Sequence, residues 1–136
     1  MAIIHWSASL STGVETIDEQ HRRLLEYLNR VHEIMVENRD EEELQEVFEG
    51  LMEYTAIHFR HEEELFDRYR YPFATGHRRE HDRLRERLAS EITEYREKRR
   101  DLMYLLAFLV DWLMDHIQGT DKAFGDYLAV RRVPGF

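Results

Sequence analysis

Apolar residues return at helical spacing in four separate blocks of this chain, each bounded by residues that start or stop a helix. The first block opens near Asp18, whose carboxylate is placed to cap free N–H groups, and carries the stripe Leu24, Leu28, Val31 and Met35. Asn38-Arg39-Asp40 interrupts it. Asp40 then caps the second block, with Glu43 three residues on and Glu41 and Glu42 at the positive end of the helix dipole. That block buries Leu44, Phe48, Leu51, Thr55 and Leu65 and runs to about Asp67. Tyr71-Pro72-Phe73 ends it, because proline lacks the N–H and disfavours helix in the residue before it. The third block starts between Pro72 and Gly76, carries Leu84, Leu88, Ile92 and Tyr95, and fades into Glu97-Lys98-Arg99-Arg100. The fourth runs from about Asp101 through Leu102, Leu105, Leu106, Leu109 and Leu113, with Gly119 marking its end. Phe124, Tyr127 and Leu128 are spaced for a short extra helix lying on the others.

Short connections favour antiparallel neighbours, so the expected fold is all-α: an antiparallel up-down-up-down four-helix bundle with a short C-terminal helix or tail. At 136 residues, with six glycines, two prolines and no linker, a single domain over 1–136 is expected. A formal charge of −9 with no basic stripe argues against nucleic acid as a partner. The absence of cysteine excludes thiolate zinc sites, iron–sulfur clusters and cysteine nucleophiles. Met1-Ala2-Ile3-Ile4-His5-Trp6 is not a signal peptide, and the longest apolar run, Leu102 to Met114, is short and contains Asp111. A cytoplasmic protein with no membrane insertion is expected, and a monomer, since no large apolar stripe is left over.

Of seven metal-binding side chains, six lie on these stripes. His21 is three before Leu24; His58 is seven after Leu51, with Glu62 a turn further on. His81 is three before Leu84, with His77 four before it, and His116 is seven after Leu109. They fall near the start, end, start and end of successive helices, which an antiparallel bundle gathers at one pole. A buried polar group without a partner costs ~1–3 kcal/mol, so something must compensate there. A lone histidine on an apolar face is ordinarily a hydrogen-bonded core residue, and Glu62-Glu63-Glu64 alone would be a wet helix face. Joint placement on four inward faces favours metal coordination. Five imidazoles and two carboxylates exceed one tetrahedral ion and suggest two. Asp121 is five residues after His116, about 140° around an ideal helix, so the helix must widen or unwind near Gly119-Thr120; otherwise Asp121 caps the tail helix. His61 is expected in solvent, His32 as a buried hydrogen-bonded histidine, and His5 without a role. Tyr54 and Thr55, a turn before His58, either reach a ligand or pack. No H-E-x-x-H, E-x-x-H, glycine-rich phosphate loop or G-x-S-x-G motif occurs.

In this order the residues resemble the hemerythrin family, in its single-domain bacterial form. The resemblance rests on Trp6, Gly13-Val14, Ile17-Asp18-Glu19-Gln20-His21, His58-Phe59-Arg60-His61-Glu62-Glu63, His77-Arg78-Arg79-Glu80-His81 and His116-Ile117-Gln118-Gly119-Thr120-Asp121. The five-residue step to Asp121 is the family's own. The resemblance implies two iron ions with an oxo or hydroxo bridge, binding dioxygen reversibly. His77, His81 and His116 would hold one filled ion, His21 and His58 the other with an open position, and Glu62 and Asp121 would bridge both. Leu24, Phe59, Trp112, Leu113 and Ile117 would wall the open position and keep it dry. Neutral imidazoles donate less negative charge than carboxylate-rich sites, which favours binding O2 over cleaving it. The expected role is oxygen storage, transport or delivery, with an oxygen-consuming enzyme as a candidate recipient, and without catalysis. The rivals are an O2 or redox sensor, a di-iron enzyme acting on peroxide or nitric oxide, and iron storage. The fifteen residues after Asp121 hold no output module, which weighs against a sensor.

Overall fold

A computed structural model of the protein describes residues 3–37 and 39–131. Four long helices, α1 (Glu15–Glu37), α2 (Glu41–Arg68), α3 (Ala74–Arg96) and α4 (Leu102–His116), are followed by a π-helical turn (Ile117–Asp121) and a short α5 (Lys122–Val130). Each long helix packs on its neighbour in sequence, and α4 closes the ring against α1. This is the expected antiparallel four-helix bundle, and no strand occurs among the described residues. Nor is any helix among them long and apolar enough to cross a membrane.

The ends follow local chemistry. Asp40 caps α2, accepting from the N–H groups of Glu42 (3.1 Å) and Glu43 (3.3 Å), and Asp101 caps α4, accepting from Tyr104 N–H (2.9 Å). α3 begins at Ala74, just past Pro72. Two expectations need correction. α1 opens at Glu15, ahead of Asp18, so Asp18 does not cap it. Its carboxylate instead accepts from Thr12 N–H (2.8 Å), Thr12 Oγ1 (2.8 Å) and Ser11 Oγ (2.6 Å), pinning the incoming loop to the helix. Gly119 does not end the fourth helix; the chain coils on through it into α5. The expected break at Arg39-Asp40 is present, and Asn38 lies outside the described residues.

The predicted stripes are buried with small adjustments. Ile34 takes the core place expected of Met35, which is half-buried, and Leu84 and Tyr95 lie at the edge of the core. The main core, from Leu24 and Leu44 to Leu113 and Ile117, fills the length of the bundle. A second apolar cluster, Val14, Ile17, Leu65, Phe66, Tyr71, Phe124 and Leu128, closes one pole. Phe124 and Leu128 come from α5, as the spacing predicts. Gly125 lets α5 approach, since a Cβ there would lie 2.0 Å from the Thr12 carbonyl oxygen. Gly13, at φ +85°, turns the same loop.

Candidate metal centre

All seven predicted donors are buried and meet at this pole. His21 projects from the start of α1, His58 and Glu62 from the last three turns of α2, and His77 and His81 from the first two turns of α3. His116 is the final residue of α4, and Asp121 ends the π turn. The i→i+5 bonding of that turn widens the coil and brings Asp121 back onto the face of His116. Asp121 makes no side-chain cap on α5, so the capping alternative falls away.

Asp121 is the hub. Its Oδ2 lies 2.6 Å from His21 Nε2, 2.9 Å from His116 Nε2 and 3.2 Å from His58 Nε2, while Oδ1 lies 2.9 Å from His77 Nε2. Glu62 is the counterpart on the other side: Oε1 lies 2.9 Å from His81 Nε2 and 3.2 Å from His77 Nε2, and Oε2 is 3.8 Å from His58 Nε2. The donors therefore form two overlapping groups, His21–His58–Glu62–Asp121 and His77–His81–His116–Glu62–Asp121, each with its ligand atoms within 4.8 Å of one another. Both groups share both carboxylates.

Whether this donor set suits a cation is decided by hydrogen positions. His58 Nδ1–H donates to Gln20 Oε1 (2.7 Å), and His81 Nδ1–H donates to Glu63 Oε2 (2.8 Å). Both acceptors lack protons, so in each neutral ring Nε2 turns a lone pair inward. That of His81 then faces Glu62 Oε1, and that of His58 lies 3.1 Å from His21 Nε2. Glu62 Oε2 is buried without a hydrogen-bond partner. Acceptors that converge on acceptors require positive charge between them, and nitrogen and oxygen donors of these types suit first-row metal ions. The donors also charge one another. Burial alone would raise the Asp121 carboxyl, but the imidazoles, His116 foremost, hold it well below the usual range. Glu62 is likewise lowered against burial and against Asp121, by His58, His77 and His81. His21 is lowered by burial, whereas Asp121 and Glu62 overcome burial at His77 and raise it to about 9.

The five wall candidates are all buried in the main core. Phe59 stacks on the His81 ring at 3.9 Å and 8° and meets the His116 ring in a T-shaped contact at 5.3 Å. Leu24, Leu113 and Ile117 belong to the same core. Trp112 donates its indole N–H to the Leu84 carbonyl (3.0 Å) and with His116 lines an outer groove between α3 and α4. That puts it on the His81–His116 side. Of the remaining histidines, His5 is exposed, and His61 is half-buried with Nε2 2.9 Å from Thr16 Oγ1 rather than free in solvent. His32 is also half-buried, and its Nδ1 lacks the expected hydrogen bond. Tyr54 packs on Tyr27, and Thr55 is buried with its hydroxyl unpartnered.

Three polar partners of the donors escaped the sequence pattern: Gln20, Glu63 and Thr120, whose Oγ1 lies 3.2 Å from His116 Nδ1. Thr120 is one α-turn from His116 and was open to discovery by spacing. Gln20 serves a histidine 38 positions away, and Glu63 was masked as one member of an acidic run.

Residues 12–128 match the family described as the hemerythrin HHE cation binding domain. A bacteriohemerythrin of Stenotrophomonas maltophilia is 34% identical over 93% of this chain and 82% of its own length. One from Methylococcus capsulatus is 27% identical over 95% of this chain and 99% of its own. A crystal structure of wild-type hemerythrin superposes with a TM-score of 0.81 at 27% identity, covering 94% of this chain and 99% of the other. The matched span contains all seven donors, and the chain belongs to the hemerythrin family.

Proposed function

We propose that this protein binds dioxygen reversibly at a pair of iron ions, storing, carrying or delivering it rather than turning it over. One observation carries the reading: the two donor groups share Glu62 and Asp121, an arrangement suited to two ions bridged by two carboxylates. Bacteriohemerythrins among its relatives support the choice of iron and oxygen. His77, His81 and His116 would hold one ion, and His21 and His58 the other, leaving the second with fewer protein donors. Ferrous ions held there would supply the electrons for O2 binding.

The chain's own residues do the rest. Glu62 and Asp121 fix the separation of the two donor groups. Gln20 and Glu63 orient the rings of His58 and His81 through Nδ1, so that Nε2 points inward. Phe59, Leu24, Leu113 and Ile117 belong to the apolar core beside the donors, which would keep water from the centre. The test is metal analysis beside an anaerobic O2 titration, with two irons and one O2 per chain expected. A single ion per chain, or sustained consumption of peroxide or nitric oxide with a reductant in place of stoichiometric uptake, overturns it.

A further inference from the structure

His81 differs from the other four imidazoles in what its outer nitrogen meets. Its Nδ1–H donates to an anion, Glu63 Oε2, at 2.8 Å. The Nδ1–H of His58 meets the neutral amide oxygen of Gln20, and Nδ1 of His116 meets the Thr120 hydroxyl. The Nδ1 atoms of His21 and His77 are buried without a partner. His81 is thus bracketed by one dipeptide of α2, with Glu62 on its inner nitrogen and Glu63 on its outer one. Consecutive helical residues point about 100° apart, which lets Glu62 enter the centre while Glu63 passes behind the ring. Glu63 is itself held. Arg78 Nε lies 3.6 Å from Glu63 Oε1, and the same guanidinium donates to the Glu63 carbonyl (3.3 Å) and to Asp67 Oδ1 (2.6 Å). The Glu63 side chain is 29% exposed, so its charge is partly screened, but the His81 ring it acts on is fully buried.

A hydrogen bond to an anion makes an imidazole a stronger donor at its other nitrogen. We infer that Glu63 is a positioning residue that makes the His77–His81–His116 group the more strongly donating half of the centre, while neutral Gln20 leaves the His21–His58 half the weaker. This rests on the two-ion reading above. The charge behind the ring adds to the difference in histidine number and favours the oxidised state at the three-histidine ion. Glu63→Gln removes the charge and keeps the acceptor; Gln20→Glu adds a charge on the opposite half.

The test uses the full chain loaded with zinc(II), a diamagnetic probe, with ring N–H protons followed by NMR. In the unaltered protein the His81 Nδ1–H resonates downfield of that of His58. Glu63→Gln moves the His81 signal upfield and leaves the His58 signal in place, and Gln20→Glu moves the His58 signal downfield. In iron-loaded protein Glu63→Gln raises the reduction potential and weakens iron affinity, read by competition with a chelator, about 10- to 100-fold. If Glu63→Gln binds two ions per chain with both N–H signals and the potential unmoved, Glu63 is merely a surface carboxylate and the inference fails. If the unaltered chain does not take up two zinc ions, the two-ion reading fails first and takes this inference with it.

Discussion

Replacing Gly125 by alanine tests how α5 is held over the donor cluster. A Cβ built there lies 2.0 Å from the Thr12 carbonyl oxygen, 2.8 Å from its carbon and 3.0 Å from Thr12 Cβ. Restoring a carbon–oxygen contact of ~3.3 Å requires a shift of more than about 1 Å. The obstacle is backbone and it is pinned: Thr12 N–H and Oγ1 both donate to buried Asp18, and Ser11 Oγ adds a third bond. Overpacking of this kind costs about 1–3 kcal/mol. Disturbing hydrogen bonds to a charged group adds about 1.5 kcal/mol or more for each one lost. Alanine's helix preference returns about 1 kcal/mol. The net expectation is a loss of about 2 kcal/mol, or more if the loop gives way. Gly76→Ala is the control: it is the same substitution, in the first turn of α3, where nothing lies within 4 Å of the new Cβ. It gains up to about 1 kcal/mol. Urea unfolding of metal-free and metal-loaded protein reads both, at constant m-value. Because α5 follows Asp121 directly, Gly125→Ala also weakens metal retention. If the two variants shift the midpoint in the same direction, the close approach of α5 to Thr12 is not a constraint.

Asp121→Asn keeps the side chain's size but removes the charge that four imidazoles share, and metal content should fall below two ions per chain; elemental analysis showing two ions would remove Asp121 from the ligand set. In protein stripped of metal, His77 is raised from 6.5 to about 9 because Asp121 and Glu62 outweigh burial. Its folded value exceeds its unfolded one, so its contribution to stability is complete below pH 6.5 and disappears as pH rises through 9. His21 is lowered by burial, so its contribution changes with the opposite sign and on the acid side of 6.5. The melting temperature of metal-free protein should therefore fall between pH 6.5 and 9, while loaded protein, whose ions compete with protons, should not follow it; a flat metal-free curve contradicts this. Phe59→Ser and Leu113→Ser each place a hydroxyl in the buried core around the donors and should speed autoxidation of the O2-bound protein; an unchanged rate in both removes the wall role.

Periodicity made the bundle legible. A stripe such as Leu102, Leu105, Leu106, Leu109 and Leu113 has only one way to be buried, and Asp40 and Asp101 carry their capping chemistry in their own side chains. The donors other than Asp121 were legible for the same reason, since each is a polar residue on a stripe that burial would otherwise penalise. What escaped was set by contacts across the fold. Asp18 looks like a cap because a carboxylate before an apolar run usually is one; here its partners are Ser11 and Thr12, upstream of the helix, and the helix starts earlier. Gly119 reads as a stop because glycine is the commonest residue after a helix, yet the π turn runs through it with no positive φ. The five-residue step left two readings of Asp121 open, a widened coil near Gly119-Thr120 or a cap on the tail helix, and the π turn decides for the first. The outer partners were not foreseeable, because Gln20 and Glu63 act across helix interfaces on histidines remote in sequence.

The placement of the two apolar clusters follows from what the donors do to one another. Inward lone pairs on His58 and His81, with the carboxylates of Glu62 and Asp121 between them, oppose folding except where protons, as on His77, or metal ions lie among them. Something else must therefore hold four helix ends together, and a single core stopping short of this pole would let them splay. The second cluster supplies that hold. Val14 and Ile17 bring in the start of α1, Leu65 and Phe66 the end of α2, Tyr71 the turn into α3, and Phe124 and Leu128 the helix that Asp121 introduces. The donors thus lie between apolar packing on both sides, one along the bundle and one across its end. A chain with only the first would have to use metal-binding energy to assemble its own pole. With both, that energy remains available to hold the ions.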